Sequence, residues 1–226
     1  YSVGPMFRYE RPQKGRYRQF HQLDVEVFGI TDPAIDGEVI EMAAAFIAEL
    51  GIRTAELVIN SVGCEGCRPS FNQALLDALG KTTQDLCGDC QRRVKTNPLR
   101  VFDCKVQADQ PIIEGLPHSE DFLCEPCREH FAEVRRHLDA YGLQYRVSHR
   151  LVRGLDYYTR TTFEVLGGNV GAQNALLGGG RYDHLVKHLG GPDRPGIGFA
   201  AGLERLVLAL PEETGEGSVV DVFVVA

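Results

Sequence analysis

Between Gly4 and Gln22, in the run GPMFRYERPQKGRYRQFHQ, five cations gather around one acid: Arg8, Arg11, Lys14, Arg16 and Arg18 against Glu10. A guanidinium presents a planar two-donor fork to phosphate oxygens and stabilises charge that develops at phosphorus. The chemistry open to this run is the holding of a polyanion; a solvated basic hairpin is the plainer alternative. Directly after it, Leu23, Val25 and Val27 alternate with Gln22, Asp24 and Glu26. Successive strand side chains point to opposite sides, so Phe20–Phe28 predicts a strand with one core face and one polar face. The polar face suits either solvent or the floor of a small-molecule pocket.

A second kind of chemistry lies in the cysteines. All seven fall between residues 61 and 148, six of them as Cys64-x-x-Cys67, Cys87-x-x-Cys90 and Cys124-x-x-Cys127, with Cys104 alone. The first two pairs enclose 19 residues, which fits a four-cysteine zinc site. Any two of the three pairs offer four thiolates, so three pairings are open for one structural zinc; cysteines packed as small apolar residues are the alternative. Disulfides suit a small secreted domain, and this chain is not small.

The elements that must position these groups follow from pattern. A turn-rich basic loop leads to the alternating strand, then a helix over Asp36–Leu50 closed by Gly51, then a short β-rich run Glu56–Asn60. From about His149 the chain is glycine-rich and β-like and closes in an apolar helix, Phe199–Leu210. At 226 residues, 43% hydrophobic and 24% charged, it has enough apolar material for a sizeable core. A net charge of −7 argues against broad, charge-driven nucleic-acid binding, so any such contact is expected to be local. No apolar run approaches the roughly 20 residues of a membrane span, and a cytoplasmic location is expected. The chain starts without Met and stops in the strand-like Val219–Ala226, so a piece of a longer protein is expected.

The Gly4–Gln22 run resembles motif 2 of the class II aminoacyl-tRNA synthetases, and over its full length it resembles the histidyl-tRNA synthetase family. LVRGLDYYTRTTFEV, residues 151–165, resembles that family's first histidine-specific motif, GGGRYDHL, residues 178–185, its second, and GIGFAAGLER, residues 196–205, motif 3. Read without the resemblance, each has a plain structural explanation: a half-buried tyrosine pair, a flexible glycine turn, and an amphipathic core helix. The resemblance implies an α+β fold, an antiparallel sheet flanked by helices, with a smaller inserted α/β domain carrying the Cys-x-x-Cys pairs. It divides the chain into a first part of the catalytic core (1–60), the insertion (61–148), a second core part (149–212) and a linker with the possible start of an anticodon-binding domain (213–226).

The resemblance also implies roles. Arg8, Arg153 and Arg205 are the catalytic cations: Arg8 on the ATP α-phosphate, Arg153 beside both that phosphate and the amino-acid carboxylate, Arg205 on the γ-phosphate. Glu10 and Phe20 meet the adenine. Glu26 and Tyr158 take the two nitrogens of the substrate imidazole, assisted by Gln22 and Tyr182, while Arg11, Lys14 and Arg16 approach the tRNA acceptor end. The implied activity is histidine–tRNA ligation with ATP and Mg2+, a possible structural Zn2+, and a homodimer for the full-length protein. Motif 1 is absent, so the chain alone is expected to be inactive, monomeric, or dimeric in an unnatural way. A synthetase-like regulatory subunit of histidine biosynthesis and a zinc-stabilised nucleic-acid-binding module are the rivals. The first would keep the fold without adenylate formation; the second would bind RNA without ATP.

Overall fold

The computed structural model describes residues 1–9, 12, 16–152, 157–167 and 174–211. Strands β1 (Ser2–Phe7) and β2 (Gln19–Phe28) form an antiparallel hairpin, followed by helix α1 (Pro33–Glu49) and strand β3 (Glu56–Ser61). Helices α2 (Arg68–Thr82), α3 (Gly88–Thr96), α4 (Gln110–Glu114) and α5 (Glu125–Ala140) come next, linked in part by 3-10 turns, and then strand β4 (Tyr145–Val147). Strands β5 (Thr159–Leu166) and β6 (Ala175–Arg181), the short helix α6 (Leu185–His188), strand β7 (Gly196–Gly202) and helix α7 (Leu203–Ala209) complete the described order. The strands build one seven-stranded sheet in the order β1-β2-β7-β6-β5-β3-β4, antiparallel except for the pairing of β3 with β4.

Helix α1 starts at Pro33, three residues ahead of the expected Asp36. Pro33 has no N–H to leave unsatisfied at the first helical position, and the Asp32 carboxylate accepts from the Ala34 N–H at 2.8 Å. Gly51, at φ +75°, lets the chain leave the helix in the left-handed conformation. The expected apolar helix Phe199–Leu210 is shorter than the pattern suggested. Phe199–Gly202 belongs to β7, because Phe199 and Ala201 lie between partners on β2 and β6, and the helix begins only at Leu203. The expected strand over Val219–Ala226 lies outside the described residues.

The sheet's two faces divide the labour. On one, Phe163, Ile197 and Phe199 pack with Val39, Ile40 and Ile47 of α1 and with Phe131, Val134 and Leu138 of α5, and Leu23, Val25 and Val27 of β2 join them. Burying each of these side chains contributes about 1.5–3 kcal/mol, which anchors α5 to the main sheet rather than to the inserted helices. The strand β4 likewise extends the main sheet. Between β3 and α5 the inserted segment holds its own core, in which Phe71, Leu75, Leu79, Val101, Phe102 and Ile113 are buried. Among the described residues no helix is long and apolar enough to cross a membrane.

Candidate active site

On the sheet's other face, register places the polar side of β2 beside a strip of very small residues. Gln22 pairs with Gly202, Asp24 with Ala200 and Glu26 with Gly198, while Ala200 and Gly198 in turn pair with Gly178 and Gly180 of β6. Because alternate residues share a face, these positions together form a floor nearly free of side chains. The space above it is two adjoining cavities of about 320 and 580 Å3 that share Gln22, Tyr157, Tyr158, Gly178 and Ala200. The triple glycine is thus part of strand β6, not a flexible turn. A Cβ on Gly180 would lie 2.6 Å from the Thr161 carbonyl and 2.9 Å from the Tyr158 ring, and one on Gly198 would run into the Glu26 carboxylate.

The smaller cavity is cationic. Arg8, Arg16 and Arg205 line it with Tyr17, Phe20 and Glu204. The Arg8 guanidinium lies 3.6 Å from the centroid of the Phe20 ring, a cation–π stack of about 0.5–1 kcal/mol. Burial and the nearby positive charge of Arg16 pull the Arg8 pKa down, with Glu204 opposing them, an arrangement that a bound anion relieves. Arg205 is positioned by donating to the Ala175 carbonyl at 2.8 Å. Glu204, in the first turn of α7, ties that helix to β2: its carboxylate accepts from the His21 N–H at 2.8 Å and lies 3.0 Å from the His21 Nδ1. Burial resists the charge on Glu204, but these bonds hold its carboxyl below the ordinary carboxylate value.

The larger cavity is lined by Gln22, Asp24, Glu26, Phe28, Tyr158 and Tyr182, with the apolar Leu185 and Val186 of α6. The Tyr182 hydroxyl donates a hydrogen bond to one Glu26 oxygen. Burial raises the Glu26 pKa and the Tyr182 hydroxyl counteracts it; burial and the Glu26 charge raise that of Tyr182. The tyrosine therefore stays a neutral donor and leaves the second Glu26 oxygen for a ligand.

Behind this cavity is a buried ionic network that pattern reading overlooked. Arg181, fully buried, grips the Asp36 carboxylate with Nε at 3.0 and 3.2 Å and with its Nη2. Its Nη1 donates to the Ile30 carbonyl at 3.0 Å and to Asp183 at 3.1 Å. Thr161 adds a 2.6 Å hydrogen bond to Asp36, and the buried His130 stands 3.6 Å from it. The network ties α1 to β5 and to the end of β6, and includes Arg181 and Asp183, the two neighbours of Tyr182. In the sequence Asp36 looks like an ordinary first-turn acid, and its one signal is adjacency of Arg181 to the tyrosine. Tyr157 was also overlooked as a lining residue, whereas Asp24 lines the larger cavity with the rest of the polar face of β2. Of the other expected site residues, Glu10, Arg11, Lys14 and Arg153 lie outside the described residues.

Of the three pairings that the sequence left open, the fold brings together the first and third, not the first and second whose spacing fits a zinc site. Cys64 and Cys67 meet Cys124 and Cys127, while Cys87 and Cys90 stand with Cys104 and Asp109, and in each set all four donor atoms lie within 4.8 Å of one another. Bringing the start of α5 to the start of α2 decides this, since Cys124 lies 57 positions after Cys67 and its N–H donates to the Cys67 sulfur at 3.2 Å. The Cys64 sulfur is 3.6 Å from that of Cys67 and 3.9 Å from that of Cys124. A tetrahedron with Zn–S bonds of about 2.3 Å has edges of about 3.8 Å, so this set fits a zinc ion. Burial opposes ionisation of Cys64, but hydrogen bonds from the Cys67 and Gly66 N–H groups and neighbouring thiols bring its pKa down to about 7.

Comparison with known proteins decides the family. The family model described as Histidyl-tRNA synthetase matches residues 114–206. A histidine–tRNA ligase of Syntrophotalea carbinolica is 53% identical over 226 residues, all of this chain and 54% of that protein. One from Koribacter versatilis is 58% identical over 215 residues, 93% of this chain and 49% of that protein. This chain belongs to the histidyl-tRNA synthetase family. The apo histidyl-tRNA synthetase of S. aureus superposes with a TM-score of 0.69 at 41% identity, covering 92% of this chain and 49% of that one. A Bacillus halodurans structure titled ATP phosphoribosyltransferase regulatory subunit/histidyl-tRNA synthetase, at 22% identity and a TM-score of 0.61, shares the fold. The chain spans about half the length of the curated histidine–tRNA ligases it matches.

Proposed function

We propose that this chain carries the active site of a histidine–tRNA ligase, which activates histidine with ATP and passes it to the 3′ end of histidine tRNA. The observation that carries the reading is the pair of joined cavities on one glycine-floored sheet face, one ringed by Arg8, Arg16 and Arg205 and the other holding the Tyr182–Glu26 pair. ATP takes the cationic cavity and histidine the other, so the amino-acid carboxylate meets the α-phosphate near their shared wall at Gln22, Tyr158 and Gly178. A carboxylate oxygen attacks the α-phosphorus, the bond to pyrophosphate breaks, and histidyl-adenylate forms. The tRNA ribose hydroxyl then attacks the histidyl carbonyl and AMP leaves.

The residues act by positioning and charge. Arg8 moves from the Phe20 ring to the α-phosphate and frees the ring face for adenine, an exchange whose small stacking cost the phosphate contact outweighs. Arg205 takes the γ-phosphate, Glu10 joins Phe20 at the base, and Arg153 bridges carboxylate and α-phosphate. Mg2+ accompanies ATP and offsets phosphate charge. Glu26 accepts from one imidazole N–H, Tyr158 meets the other nitrogen, and Gln22 and Tyr182 orient the substrate. A histidine analogue lacking a ring nitrogen leaves a buried group unpaired, a penalty of about 1–3 kcal/mol.

Arg11, Lys14 and Arg16 approach the tRNA acceptor end. A zinc ion held by Cys64, Cys67, Cys124 and Cys127 is structural, because the chemistry uses no thiolate. A cytoplasmic location fits free cysteines and a tRNA substrate. A homodimer is the assembly proposed for the longer protein. Calorimetric titration with histidine and with ATP tests the reading, with Glu26→Gln as the control. Binding of both, with at least tenfold weaker histidine binding in the variant, supports it; histidine affinity unchanged by the substitution overturns the pocket assignment.

A further inference from the structure

We propose a second structural zinc site in the inserted segment, held by Cys87, Cys90, Cys104 and Asp109. It is independent of the ligase reading and separate from the Cys64 set. The two sets share no residue, and each gathers its own four donor atoms within 4.8 Å, so a single ion does not serve both.

Three neighbouring elements converge to make the site. Cys87 is the N-cap residue of α3 and Cys90 lies in that helix's first turn, Cys104 directly follows the 3-10 turn Pro98–Asp103, and Asp109 ends the 3-10 turn Gln107–Asp109. Cys90, Cys104 and Asp109 are 0%, 6% and 1% exposed. The Cys87 and Cys104 sulfurs are 3.9 Å apart, near the tetrahedral edge expected around zinc. Asp109 lies 3.2 Å from the Cys104 sulfur while also accepting from the Cys87 N–H at 3.0 Å, a contact that aims the carboxylate into the cysteine set. The Val106 N–H donates to the Cys104 sulfur at 3.4 Å, as it would to a thiolate ligand. Three thiolates and one carboxylate form a soft, closed, four-donor set, which favours zinc over the oxygen-seeking Mg2+ or Ca2+.

The local structure has use for such a clip. From Thr83 to Leu116 the chain forms one nine-residue helix, one five-residue helix and 3-10 turns, none long enough to hold on its own. Coordination closes the loop from Cys87 to Asp109 in the folded state. On binding, the three thiols give up their protons to solvent and no group is oxidised or reduced.

The test uses the whole chain, reduced, stripped of metal and reloaded with excess zinc, then freed of unbound ion. Two zinc ions per chain are expected. Cys64→Ser with Cys124→Ser, which disables the first set at its more accessible members, is expected to leave one, and Asp109→Asn on that background to weaken the remaining affinity tenfold or more. Loading with Co2+ is expected to give thiolate-to-cobalt absorption in the doubly substituted chain, a readout that does not need the Asp109 variant to fold. One zinc per chain, falling to none and without cobalt absorption once Cys64 and Cys124 are replaced, overturns the proposal.

Discussion

At the scale of single residues, the site depends on Glu26 staying charged in a partly buried place. Burial raises its pKa from the ordinary 4.5, and the hydroxyl of Tyr182, by donating to the charged form, lowers it again. Histidine binding should therefore fail as pH falls through a value above 4.5. Tyr182→Phe removes the donation, so the loss should begin at higher pH, which calorimetry across a pH series measures; an unshifted profile would show that the hydroxyl does not tune Glu26. The buried Asp36–Arg181 pair makes a different prediction. Removing one partner strands the other's charge, so Asp36→Ala should lose about 3–5 kcal/mol in chemical denaturation. His130 beside it is held below its ordinary 6.5, chiefly by burial, with the Asp36 charge opposing and Arg181 reinforcing. A depressed histidine pKa means that the unfolded chain takes up a proton before the folded one. Stability should thus fall as pH drops below about 6.5, and His130→Gln should flatten that slope.

At the scale of elements, β6 and β7 serve the site by having almost nothing on it. Gly198 faces Glu26 across the β2–β7 pairing, and a methyl group there would collide with the Glu26 carboxylate and the Val25 carbonyl. Gly198→Ala should cost about 1–3 kcal/mol of stability, read by denaturation, and weaken histidine binding more than ATP binding, because the displaced carboxylate belongs to the larger cavity. Equal weakening of both would mean that the whole face had moved. A flexible turn was the plain alternative for the three glycines, but they lie in β6, where the neighbouring strand and Tyr158 impose the absence of side chains. Similarly, the run from Phe199 to Leu210 has helical apolar spacing, yet pairing with two strands claims its first four residues.

At the scale of the whole molecule, two cores with different economies share one chain. The main core is thick with aliphatic and aromatic side chains from the sheet, α1 and α5; the inserted segment has a thinner core flanked by two cysteine sets. Prolonged chelation under reducing conditions should therefore raise amide exchange between residues 64 and 127 while β2, β5, β6 and β7 stay protected. Exchange that rose equally in sheet and insertion would indicate that the cysteine sets do not stabilise the inserted helices separately.

Local pattern sufficed for much of this molecule. Alternation along Phe20–Phe28 assigned Leu23, Val25 and Val27 to one face and Gln22, Asp24 and Glu26 to the other, because strand periodicity is a property of neighbouring residues alone. The resemblance of the motifs around Arg8, Tyr158, Tyr182 and Arg205 implied their site roles, and the fold brings all four to the lining of the two joined cavities. What needed tertiary structure was everything that depends on long-range closure: that Cys67 meets Cys124 and not Cys87, that Asp109 completes the other cysteine set, that Arg181 reaches Asp36 across 145 positions, and that Tyr182 holds Glu26. Spacing along a chain says which groups share a face. Which faces meet is settled by how the sheet and helices bury their apolar surfaces together.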